Sequence, residues 1–148
     1  MIKQTAYKKI ENSIHKLIDV SDKDHMVRCV ILSIEAIMID FNLNFYDHRL
    51  KDAFLTAKAY LDTDFIKVGK IKEHARICHH VARLQTDLKN LYVARIIGQG
   101  ISTIHVKTHA LGIFYYLEKL LRHLDYKDDD IDSYLNKLMK NFKTTSKE

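Results

Sequence analysis

Proline is absent from this 148-residue chain, tryptophan is absent too, and glycine occurs only four times. Proline and glycine make most tight turns and helix breaks, so their scarcity excludes a turn-rich β architecture and predicts long helices joined by polar loops. Cysteine appears twice, as Cys29 and Cys78, within apolar stretches and without C-x-x-C spacing. That excludes a metal knuckle or a dithiol redox motif and predicts two buried free thiols. No apolar run approaches the roughly 18 residues that cross a bilayer. The longest, Val27 to Phe41, is interrupted by Arg28, Glu35 and Asp40. The first nine residues carry Lys3, Gln4, Thr5, Lys8 and Lys9 in place of the apolar centre of a signal peptide, so a cytoplasmic location is expected.

What is present reads as an ordinary globular protein, with 47 % hydrophobic and 29 % charged residues. The length suits one domain, and we expect residues 1–148 to form a single all-α bundle of about six to seven helices, with 143–148 a frayed tail. The first helix is expected from about Ile2 to Val20, with Ile2, Ala6, Ile10, Ile14, Leu17 and Ile18 on one face. Ser21 or Asp22 then caps a second, deeply set helix to about Phe41, and Asn42-Leu43-Asn44 forms a loop. Asp47 caps a third helix, His48 to about Leu61, and Asp62-Thr63-Asp64 closes it and caps a fourth, Phe65 to about Gln85. On that fourth helix Ile66, Lys70, Glu73, Ile77, His80 and Leu84 share one face, while Arg76, His79 and Arg83 share another. Thr86-Asp87 opens a stretch to Leu124 that is too long for one helix of about 50 Å in so small a protein. A break is expected near Val106-Lys107-Thr108, with Thr108 as a cap, and a short final helix through about Phe142 follows an acidic loop and helix start at Lys127 to Asp132. No repeat is strong enough to define a solenoid, although paired helices leave a superhelix as the lesser alternative.

Charge is uneven. The whole chain is +5, yet Ile66 to Arg122 holds ten Lys or Arg against three acidic residues. Such a face suits an acidic partner or a phosphate backbone, a solvated basic surface being the plainer alternative. No RNP-like run, zinc-finger spacing or basic-plus-heptad pattern accompanies it, so nucleic acid is not the expected partner. Serines sit in no nucleophile-elbow context, and Asp128, Asp129 and Asp130 read as a helix cap and not as a catalytic pair.

The unusual segment is Ala94 to Gly112, A-R-I-I-G-Q-G-I-S-T-I-H-V-K-T-H-A-L-G. At helical spacing Ala94, Gly98, Ser102, His105, His109 and Gly112 would form one narrow stripe. Each helical glycine costs roughly 1 kcal/mol against alanine, so close approach of a neighbouring helix backbone is expected to compensate, with the histidines hydrogen-bonding across the seam. The alternative reading is a metal-binding enzyme, because i, i+4 imidazoles can share a metal. His105 and His109 would then need a third ligand from His79, His80 or Glu35, but H-E-x-x-H is not matched and no cofactor is expected.

This segment resembles the C-terminal signature of small helical bacterial toxin-immunity proteins, the immunity-protein-five-like group. Asp47-His48-Arg49-Leu50-Lys51-Asp52-Ala53, with the following Ala57-Lys58-Ala59-Tyr60-Leu61, is similar to that group's D-x-R-x-x-x-A helix start, and Ser33-Ile34-Glu35 is a looser match. The resemblance implies a non-enzymatic protein that binds and neutralises a partner toxin inside the producing cell. Candidate binding residues are Glu35, Asp47, Arg49, Arg76, His79, Arg95, His105 and His109. For the arginines, internal ion pairs with Glu35, Asp47 or Glu73 are the structural alternative. Aromatic residues at Phe114-Tyr115-Tyr116 and in the C-terminal unit leave a homo-oligomer open.

Overall fold

The computed structural model describes residues 5–63 and 65–145. Among them it contains seven α-helices, one 3₁₀ turn and no strand: α1 (Ala6–Val20), α2 (Lys23–Asp40), α3 (His48–Tyr60), α4 (Val68–Arg83), α5 (Leu88–Ser102), α6 (Ala110–His123) and α7 (Asp128–Thr145). The all-α expectation holds. Capping explains most boundaries. Asp22 accepts from the His25 N–H at 2.7 Å, Asp47 from that of Arg49 at 2.9 Å, and Asp87 from that of Lys89 at 2.8 Å. Each satisfies an amide that the helix itself leaves unpaired. Asn42 takes a left-handed φ of 51° in the expected loop.

Several boundaries differ from expectation for physical reasons. Helix α1 begins at Ala6 because the Thr5 side chain caps it by accepting from Lys8 N–H, and Ile2 lies outside the described residues. Helix α4 begins at Val68 after Lys67, with no side-chain cap; Thr63 instead accepts from Phe65 N–H within the preceding loop, and Asp64 lies outside the described residues. Helix α7 is long, its first turn built from the Asp128–Asp130 acids that complement the helix dipole, and it runs to Thr145, into the stretch 143–148 expected as a frayed tail, of which 146–148 lie outside the described residues.

Helix α5 occupies the centre, packed between α4 and α6 and touched by α2 and α3. Val93, Ala94, Ile96, Ile97, Gly98, Gly100, Ile101 and Ser102 are buried, so apolar or small side chains surround the axis of α5. Helix α1 lies outside, its Ala6, Ile10, Ile14 and Ile18 stripe turned inward as the spacing predicts, against α6 and α7. Buried apolar side chains from all seven helices join one core. Cys29 and Cys78 are both buried within it and form no disulfide with each other, and burial pushes the Cys78 thiol up to about 12. No helix among the described residues is long and apolar enough to cross a membrane.

The break between α5 and α6 includes the expected Val106-Lys107-Thr108 but begins earlier. Helix α5 ends at Ser102, and a 3₁₀ turn, Lys107–His109, leads directly into α6 without a Thr108 side-chain cap. Lys107 explains why the chain is held there. Its ammonium donates to the carbonyls of Ile18 at 3.0 Å and Ser21 at 2.9 Å, closing the C-terminal end of α1 with a positive charge. Lys107→Met, which keeps the apolar stem, is expected to lower unfolding free energy by about 1–2 kcal/mol in urea titrations. An unchanged midpoint would show that water replaces the ammonium at no cost.

Candidate functional site

The break undoes the expected single stripe. Ala94, Gly98 and Ser102 stay on α5, whereas His105 and His109 belong to the connection and Gly112 to α6. The glycines are nevertheless compensated by close approach, though by side chains and not by a helix backbone. A Cβ at Gly98 would stand 2.9 Å from His79 Cε1, and one at Gly112 would stand 2.5 Å from Gln99 Cγ. Gly100 faces the core, where a Cβ would meet Ile34 Cδ1 at 2.5 Å. Gly98 therefore makes room for an imidazole from α4, and Gly112 for the amide that orients a second imidazole.

These side chains border an open groove of about 640 Å³. Helix α4 contributes Lys72, Ala75, Arg76, His79 and Arg83, at spacings that keep the four polar side chains on one face. Helix α5 contributes Arg95, Gln99 and Ser102, and the connection contributes His105 and His109. Among the described residues no carboxylate lines it. Arg95 Nη1 donates to His79 Nδ1 at 2.8 Å, which requires that nitrogen to carry a lone pair and the ring to be neutral. His109 Nδ1 lies 2.9 Å from Gln99 Oε1 and donates to it. The His105 and His109 rings stand 5.7 Å apart between centroids, and His105 Nδ1 is buried without a hydrogen-bond partner among the described residues.

Burial, then the charge of Arg95, lowers the His79 imidazole from 6.5 to about 4. Burial lowers His105 and His109 as well, the neighbouring His109 adding to the effect on His105. The sign of the linkage follows. These rings are neutral when folded, and the unfolded chain binds protons more readily, so stability is lost as pH falls below about 6.5 and the His79 share levels off below about 4. Thermal unfolding between pH 7 and pH 5 should show a falling midpoint, and His79→Gln should flatten the slope. An identical slope in the variant would assign the acid sensitivity elsewhere.

Five of the expected binding residues thus meet: Arg76, His79, Arg95, His105 and His109. The other three do not join them. Glu35 pairs with Lys58 at 2.8 Å, and Asp47 with Arg49 at 2.8 Å, an interaction that holds the Asp47 carboxyl down to about 2. Arg49 is therefore in the internal ion pair that was its structural alternative; among the described residues Arg76 and Arg95 form none. The third imidazole sought for a metal, His79, does reach the groove. Yet its Nδ1 faces a guanidinium, and among the described residues no three His, Cys, Asp or Glu side chains assemble into a group able to hold a metal ion. His80 is exposed outside the groove. Lys72 and Gln99 went unrecognised in the sequence. The 72, 76, 79, 83 spacing could have revealed Lys72, whereas nothing local marks Gln99 as the support of His109.

Fold and groove together define an all-helical protein with a carboxylate-free, electropositive cleft built on its central helix pair. Within that class, residues 16–144 match the family model described as Imm-5 like putative immunity protein, and the chain belongs to that family. No curated protein and no solved structure matches it.

Proposed function

We propose that this protein is a stoichiometric binder, a single folded domain that acts in the cytoplasm of a bacterial cell by capturing and neutralising a partner toxin without catalysis. The observation that carries the reading is the family match, which spans residues 16–144 and so includes the groove and every element that builds it. The physical chemistry agrees with it. The groove lies between two packed helices, and Arg95 is held by His79 before any partner arrives, which lowers the ordering cost of that contact on binding. A fixed positive field also speeds encounter with an oppositely charged surface. The groove residues Arg76, His79, Arg95, His105 and His109 are the proposed contact set, with Lys72 and Arg83 extending it. Affinity capture of the tagged protein from cells that produce it, with mass spectrometry and metal analysis of the eluate, tests this. One stoichiometric protein partner and no metal is the expected result. A partnerless protein carrying zinc, nickel or iron would overturn the reading and return attention to His105 and His109.

A further inference from the structure

Five of the six arginines in this protein fall into two groups. Arg49 is bound to Asp47, and Arg122 is bound to both Glu118 and Asp128, so each has its charge matched within the chain. In the groove, Arg95 is held by a neutral imidazole, which fixes its position and leaves its full charge. Lys72, Arg76 and Arg83 stand along the same groove with no carboxylate among its lining residues. Like charges collected at a concave surface repel one another, and an incoming anion relieves that repulsion. We infer that the groove between α4 and α5 is the docking site for a carboxylate-rich segment of a partner protein, with Lys72, Arg76, Arg83 and Arg95 as its cationic contacts. This deepens the binder reading and rests on it.

The dimensions favour a chain segment over a single small anion. From Lys72 to Arg83 the row runs eleven residues along α4, about 16 Å at 1.5 Å per residue. That matches three turns of a helix bearing acids at successive i, i+4 positions, or about five residues of extended chain. One phosphate would reach only part of such a row. Nucleic acid is less well matched. Single strands are held by aromatic side chains on which bases stack, and neither Phe nor Tyr lines the groove.

The experiment uses the full chain and two probes, fluorescein-labelled poly-L-glutamate and a labelled DNA duplex, each titrated at low and moderate salt. Arg76 and Arg83 are exposed, so the double reversal Arg76→Glu/Arg83→Glu should leave the thermal midpoint near that of the parent. Lys16→Glu/Lys51→Glu, also at exposed positions, makes the same change in net charge away from the groove. Poly-L-glutamate should bind the parent, lose affinity at least about tenfold with the groove reversal, and lose far less with the control reversal. Equal losses in the two variants, no binding to the parent, or tighter binding of the duplex through the same arginines would each overturn the inference. Repeating the affinity capture with the groove variant separates the two levels of the argument. If the parent captures a partner and the variant captures it equally well, the groove assignment fails and the binder reading stands. If the parent captures none, the binder reading itself fails.

Discussion

Glu118→Ala should lower the unfolding free energy by about 2–3 kcal/mol, although no glutamate in this chain is less conspicuous in the sequence. Glu118 sits on α6 at 4 % exposure and reaches across to α1. There its Oε1 accepts from the Tyr7 backbone N–H at 2.7 Å, one of the first-turn amides that α1 cannot satisfy itself. Its Oε2 accepts from Arg122 Nε at 2.8 Å. The carboxylate is therefore a cap supplied from another helix, with its negative charge at the positive end of the α1 dipole. Removing it leaves a buried donor unpaired. Arg122 is partly exposed and keeps Asp128 at 2.7 Å, which is why the expected loss stays below the 3–5 kcal/mol of a fully buried broken pair. Glu118→Gln retains an acceptor for Tyr7 and should lose only about 1 kcal/mol. Urea denaturation of the three proteins checks the order; equal losses in both variants would mean that charge, and not the hydrogen bond, dominates.

Phe114→Ala should be costlier still, about 3–5 kcal/mol, because the surrounding core can collapse only in part around the missing ring. Phe114 is fully buried, and its ring stands 5.5 Å from that of Phe142 on α7. A loss of that size corresponds to a fall of about 10 °C in Tm for a protein of this length. Phe114→Leu keeps most of the volume and should recover more than half of the loss. Were Phe114→Ala to cost less than about 1 kcal/mol, the α6–α7 contact would have to be loosely packed.

The contrast between these two residues shows where sequence reading succeeds. Phe114 lies in an apolar stretch where burial is the ordinary expectation, and the fold sets it apart from its neighbour Tyr115, which is 42 % exposed. Glu118 looks like any exposed helical acid, because the amide it serves is 111 residues away. The same division runs through the groove. Arg76, His79 and Arg83 share a face by simple spacing, and three glycines near two histidines announced a crowded place. Their purpose there, room for His79 and Gln99, needed the neighbouring helices in position. Helical spacing also suggested one stripe to Gly112, but the expected break near Val106-Lys107-Thr108 extends back to Ser102 and divides it, and the Lys107 contacts to the end of α1 hold the connection.

By itself, then, the sequence determined the helical class, most of the caps, the inward face of α1 and the buried thiols, which depend on periodicity and on side chains acting on nearby backbone, while its motifs carried the resemblance to the family. Tertiary structure alone decided which cations meet without a carboxylate, which arginines are already paired, and which imidazole nitrogen faces a guanidinium. Charges and hydrogen-bond partners interact through space at a few ångströms, and chain distance places no limit on which groups come that close.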